Sequence, residues 1–208
     1  NALNFNLPSV DDLFSTEESR AEARLEKVVN LNPSEISNFP DHPFKVRMDA
    51  AMQEMAESVK QYGVLVPALV RPKQGGGNEM VAGHRRKMAA ELAQLLEIPC
   101  IVRNLTDDEA TIIMVDSNLQ REQILPSEKA FAYKMKLDAM KRQGQRTDLT
   151  SATVLQKSTG KTSRQMLAEQ VGESHEQIRK YIRLTHLIPD ILELVDNSVL
   201  REPEVLQI

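Results

Sequence analysis

The stretch Met80-Val81-Ala82-Gly83-His84-Arg85-Arg86-Lys87-Met88-Ala89-Ala90 leaves this chain few ways to fold. A short apolar run is broken by a glycine, and cationic or titratable side chains then lead into a row of good helix formers. The pattern reads as strand, tight turn and helix start. Such a geometry suits an anion, because the first N–H groups of a helix lack internal partners and lie at the positive end of its dipole. Arg85 and Arg86 add forked donors that match phosphate oxygens. The same residues also suit a surface helix that begins with basic side chains, and the tetrapeptide alone does not separate the two.

Before this stretch, residues 1–27 are acidic and poor in large apolar groups, and read as a tail or an appended helix over Ser15–Lys27. Val28–Leu31 reads as a strand ended by Asn32-Pro33, and Ser34–Phe44 as a proline-punctuated loop. Met48, Met52, Met55, Ala56 and Val59 recur at helical spacing, with Gly63 as the C-terminal stop. Val64–Pro72 is apolar and β-branched, a second strand; Gly75-Gly76-Gly77-Asn78 turns the chain into a return over Glu79–Ala82.

A helix over Arg85–Leu96, a strand over Cys100–Arg103 and a helix opened by the capping box at Thr106–Glu109 follow. Asn118–Glu122 is a polar knot, and Pro126 starts a long helix to about Arg142. Strands and helices mix up to about residue 120, and no strand pattern appears afterwards. The expectation is an α+β chain in four parts. A tail covers 1–27, a small mixed α/β domain 28–120, an all-α domain 121–196, and a remnant 197–208.

The net charge of −4 is unevenly spread: residues 141–190 hold nine bases against five acids, while residues 1–40 hold three against seven. The basic block is the electrostatic footprint of a nucleic-acid partner. Gln143–Lys161 reads as a basic loop. Within the block, Ser163 can cap a helix carrying Met166, Leu167 and Ala168; Val171-Gly172-Glu173 turns; Ser174 caps a second helix carrying Ile178, Ile182 and Leu184. Two short helices about a glycine-containing turn, over residues 163–184, make a helix-turn-helix. Its second helix turns His175, Glu176, Gln177, Arg179, Lys180 and Arg183 away from the apolar side, and Arg164, Gln165 and Ser174 complete the candidate DNA contacts. An ordinary helical hairpin with a solvated basic face is the bland alternative.

Other classes are bounded by what is scarce. No apolar run approaches the ~20 residues needed to span a bilayer and no leader opens the chain, so the expected setting is cytoplasmic. The one cysteine, Cys100, excludes an internal disulfide and a multi-cysteine metal site, and reads as a small apolar strand residue.

With these stretches in place, the sequence resembles the ParB partition-protein family over about residues 28–196. Asn38–Arg47 followed by Met55–Pro67 looks like the family's first box. Gly83-His84-Arg85-Arg86 looks like its phosphate box, and Asn118–Glu122 through Leu125–Ala130 like its third. The resemblance implies a sulfiredoxin-like N-terminal fold and a homodimer that binds double-stranded DNA at a centromere-like site. It also implies a nucleoid-associated, cytoplasmic role in DNA segregation and the binding of CTP with Mg²⁺. Nucleotide contacts would fall to Gly83, His84, Arg85, Arg86, Asn118, Gln120 and Arg121, with Gly63, Val64, Leu65 and Pro67 on the base side, and metal contacts to Asn118 and Asp116. A ParA-type ATPase meeting the N-terminal tail is the further partner implied.

Three departures bear on chemistry: this chain has His84 where the family usually carries Glu, Val66 where it carries Gln, and Ser117-Asn118 where it carries Glu-Asn. Nucleotide binding with weak or absent hydrolysis is the resulting expectation. The same small fold also resembles sulfiredoxin-like phosphotransferases and serine kinases, although sulfiredoxin chemistry needs a cysteine in the turn that Ala82-Gly83-His84 lacks. A plain helix-turn-helix transcription regulator is the third reading. The family's C-terminal dimerisation domain is not visible in this sequence.

Overall fold

A computed structural model describes residues 27–121, 124–150 and 162–197. The expected helix at residues 15–27, the basic stretch 151–161 and residues 198–208 lie outside them, apart from Lys27. Five strands, β1 (Val28–Leu31), β2 (Ile36–Ser37), β3 (Ala68–Pro72), β4 (Asn78–Ala82) and β5 (Ile98–Val102), form one sheet in the order β1-β5-β3-β4-β2. β1/β5 and β3/β4 pair antiparallel, whereas β5/β3 and β2/β4 pair parallel. The β3–β4 hairpin is closed by the glycine run. β2 was read as loop; it is two residues long, too short for a periodicity signal, and is fixed by pairing with Asn78 and Glu79.

Strand alternation sorts the core onto two faces. On one, Met80, Ala68, Val70, Ile98 and Cys100 are buried with Met52 and Val59 of α1 (Ala50–Tyr62) and Ala89 and Ala90 of α2 (His84–Leu92). On the other, Val81 packs with Phe39, Phe44, with Ala110, Met114 and Val115 of α3 (Asp107–Leu119), and with Ala132 of α4 (Pro126–Thr150). Arg71 bridges the buried Glu79 at 2.6 Å and Asp107 at 2.7 Å, and so ties β3, β4 and the start of α3 together. Helix α4 carries a third core on its other side, where Ala130, Tyr133 and Leu137 meet α5 (Ser163–Val171), α6 (His175–Leu184) and α7 (Pro189–Asp196).

Several boundaries differ from the sequence reading. α1 starts after Asp49, whose carboxylate caps the Met52 N–H at 2.8 Å, so Met48 lies outside the helix and is 59% exposed. β3 begins only at Ala68: Val64 to Pro67 are apolar but bridge the helix stop at Gly63, whose φ is +72° and ψ −173°, to the sheet. α2 ends at Leu92, short of Leu96. α4 runs to Thr150 instead of stopping near Arg142, because the single glycine at 144 costs a helix interior only about 1 kcal/mol and does not by itself end it. Met166 faces solvent, and Tyr181, unlisted in the apolar reading of α6, is buried in its place.

Candidate functional site

The turn between β4 and α2 rests on Gly83. Its φ of +114° is open to glycine and strained for other residues, and a Cβ there would stand 2.9 Å from the Ala68 Cβ. The strand and the helix start are thus pressed together at the one residue that lacks a side chain. The two arginines after it then diverge. Arg86 donates through Nη1 to the Val66 and Pro67 carbonyl oxygens, both at 2.6 Å. Arg85 turns the other way, into a cleft of about 810 Å³ that it lines with Lys45, Arg47, Asp49, Gln120, Arg121 and Glu128.

The charge in this cleft is one-sided. Asp49 caps α1, and Glu128 accepts from the backbone N–H groups of Lys45 at 2.9 Å and Leu125 at 3.2 Å. Both acids thereby serve the backbone, while Lys45, Arg47, Arg85 and Arg121 present positive charge. Burial, reinforced by the charge of Arg85, lowers the pKa of Arg121, and an anion beside Arg121 would offset that effect. The Arg121 guanidinium sits 5.6 Å over the Phe44 ring, and the Arg85 Nε is buried without a hydrogen-bond partner among the described residues.

His84 is 7% exposed, its ring centroid 4.0 Å from that of His42. Burial pushes its pKa down to about 3, with His42, Lys87 and Arg121 adding to the effect. Burial also lowers His42. The His42 Nδ1 donates to the Phe44 carbonyl at 2.7 Å, which leaves Nε2 of the neutral ring as a lone pair. The Nε2 atoms of both rings are buried and unpartnered among the described residues, and the Arg85 Nε–H is a buried donor left free for an oxygen ligand in the cleft.

The nominated metal pair does not converge. Asp116 forms an ion pair with the buried Lys136 and lines an adjoining cavity of about 580 Å³, which shares Gln120 and Arg121 with the cleft and is also lined by Lys129 and Glu173. Asn118 is 4% exposed and its Nδ2 donates back to the Met114 carbonyl at 2.8 Å. No group of three His, Cys, Asp or Glu side chains poised for a metal occurs among the described residues. These residues therefore do not fit a preformed Mg²⁺ shell. Cys100 is buried in β5 and burial pushes its thiol up to about 11, which removes it as a nucleophile.

Of the nominated residues, Arg85, Gln120 and Arg121 share the cleft. Gly63 to Pro67 adjoin the Gly83 turn through Ala68 and Arg86 and do not line it. Lys45, Arg47, His42 and Glu128 were not nominated as contacts. Lys45-Val46-Arg47 did carry a signal: two cations flank an apolar residue between a proline and a helix cap.

At the far end, α5 is opened by a capping box in which Gln165 serves Thr162, and it stops at Gly172 in the αL conformation. Ser174 then caps α6. Ile178, Tyr181 and Leu184 are buried, leaving Arg179 and Arg183 exposed and Lys180 half-exposed. Arg179 lies 3.7 Å from Glu176, and Arg164 lies 3.4 Å from His175. Lys129 of α4 holds the turn through Glu173 at 3.3 Å.

Comparison with known proteins gives the site a context. The ParB N-terminal domain model matches residues 17–119. The chromosome-partitioning protein Spo0J of Thermus thermophilus is 35% identical over 171 residues, 82% of this chain and 55% of that protein. The stage 0 sporulation protein J of Bacillus subtilis is 35% identical over 174 residues, 84% of this chain and 52% of that protein. The chain thus spans about half the length of the curated relatives it matches. A likeness in fold extends to the C-terminally truncated ParB from Caulobacter crescentus complexed to the centromeric parS site. Its TM-score is 0.55 at 23% identity, over 86% of this chain and 82% of that one.

Proposed function

We propose, from the premise that this chain belongs to the ParB partition-protein family, that it is a sequence-specific DNA-binding protein whose α/β part, residues 28–120, holds CTP. The observation that carries the nucleotide half is the cleft in which Lys45, Arg47, Arg85 and Arg121 face inward while its two carboxylates are tied to backbone N–H groups. In this reading Arg85 and Arg121 flank the triphosphate and the first N–H groups of α2 add the helix dipole. Lys45 and Arg47 extend the cradle, and the Gly63–Pro67 connection supplies the base side.

The DNA half is carried by residues 121–196. Helix α6 is the reading helix, buried through Ile178, Tyr181 and Leu184 and presenting Gln177, Arg179, Lys180 and Arg183 to the duplex. The N-terminal residues of such a helix reach base edges, while Arg164 and Ser174 meet phosphates. A homodimer on a centromere-like site and a ParA-type ATPase meeting residues 1–26 belong to the same proposal, as does a nucleoid-associated setting. No helix among the described residues is long and apolar enough to cross a membrane.

Hydrolysis is weak or absent in this reading. His84 is held neutral and walled in by His42, Val66 carries no polar group, and Asp49 and Glu128 already serve N–H groups, so none of these orients a water. Calorimetry with CTP, ATP and GTP, each with and without a family centromere duplex, tests the proposal. CTP-selective binding is expected. Binding of ATP alone would overturn it in favour of a phosphotransferase, and steady phosphate release from CTP on cognate DNA would overturn the hydrolysis part.

A further inference from the structure

The two arginines of the phosphate turn are spent differently. Arg85 lines the cationic cleft with an unpartnered Nε, whereas the Nη1 of Arg86 is shared between the carbonyl oxygens of Val66 and Pro67 at 2.6 Å each. Those carbonyls lie in the connection from the helix stop at Gly63 to the first residue of β3, outside the sheet ladder. Two charge-assisted bonds from one buried-side nitrogen therefore fasten this connection to α2. The seat of the strut is as tight as its span: a Cβ on Gly83 would lie 3.6 Å from the Arg86 Nη2 and 2.9 Å from Ala68.

What the strut holds in place is apolar. Leu65 is 80% exposed and Val66 63% exposed, a pair of large aliphatic side chains offered to solvent on the connection that Arg86 fastens to α2. A bare polyphosphate gains nothing from such a pair. A flat, weakly polar ring joined to the polyphosphate gains by covering it.

Resting on the nucleotide reading above, we infer that Arg86 is a positioning residue and not a phosphate ligand. It holds the Val64–Pro67 connection as the wall for the nucleobase and so sets how far the site prefers a nucleotide over free polyphosphate.

The test measures CTP and inorganic triphosphate binding by calorimetry on the wild-type chain, Arg86→Gln, Arg86→Lys and Arg85→Gln, with circular dichroism to verify folding. Lysine keeps the charge, but its Nζ ends one bond short of the Nη1 position that reaches both carbonyls, and glutamine is shorter still and neutral. Loss of the strut should weaken CTP about tenfold or more in both Arg86 variants, on the scale of charge-assisted bonds, while triphosphate affinity stays within about twofold. Arg85→Gln should weaken both ligands alike. Equal loss of CTP and triphosphate in the Arg86 variants would overturn the inference and make Arg86 a phosphate ligand. Unchanged CTP binding in both would overturn it too. A wild-type chain that binds triphosphate and CTP equally well refutes the wall while leaving the cradle, whereas one that binds neither removes the nucleotide reading itself.

Discussion

Replacing Gly83 with alanine puts a single methyl group where two elements meet, and its cost can be worked in parts. The backbone there holds φ at +114°, a region in which an L-residue is strained by about 1–2 kcal/mol. The new Cβ would also stand 2.9 Å from the Ala68 Cβ and 3.3 Å from its Cα. Ala68 is fully buried between β5 and the α1–α2 layer, so it cannot step aside, and overpacking of this kind costs about 1–3 kcal/mol. The sum, roughly 2–5 kcal/mol, amounts to a fall in melting temperature of about 4–20 °C at the roughly 2–4 °C per kcal/mol of a chain this size. Urea unfolding followed by circular dichroism reads the loss. The double variant with Ala68→Gly separates the parts. Alone, Ala68→Gly should cost about 0.5–1 kcal/mol, and in the pair the two costs should fall short of additive by about 1–2 kcal/mol as the Cβ–Cβ contact vanishes. A Gly83→Ala chain within about 0.5 kcal/mol of wild type, or a pair whose costs add, would refute the argument that this turn is built on a missing side chain.

Two further outcomes are expected. Alanine at both Arg179 and Lys180 should abolish recognition of the specific duplex, each lost contact costing about 1–3 kcal/mol, while CTP calorimetry stays unchanged; normal site recognition in gel-shift titrations would move the reading surface off α6. His84 ties stability to pH: its folded pKa of about 3 lies below the unfolded value of 6.5, so the unfolded chain binds more protons in between and stability is lost as pH falls through that window. The loss should run at about 1 kcal/mol per pH unit, and His84→Gln should flatten the unfolding midpoint's slope between those limits relative to wild type; an unchanged slope would show that the ring does not titrate differently on folding.

Much of the machinery was legible from local chemistry. The capping box at Thr106, the positive-φ stop at Gly63 and the two capped helices about Gly172 all depend on contacts within four residues or so, and neighbouring letters encode such contacts directly. Where the reading went astray, a partner far along the chain decided. Val64–Pro67 has strand composition but is claimed by Arg86, some twenty positions on. β2 exists only because β4 pairs with it.

The divergence of Arg85 and Arg86 states the division most clearly. Sequence alone placed two adjacent guanidinium groups at a helix start beside a glycine, since periodicity, capping and propensity are properties of neighbours. It could not tell which faces the cleft, because adjacent helical residues point about 100° apart and the direction of that cleft is set by how α2 sits on the sheet. The same holds for the wall opposite: His42 meets His84, and Glu128 takes the Lys45 N–H, across 42 and 83 residues of chain. Burial then fixed the chemistry, leaving His84 neutral and Arg121 a strained cation, because the dielectric around a side chain belongs to the packed structure and not to its neighbours in sequence.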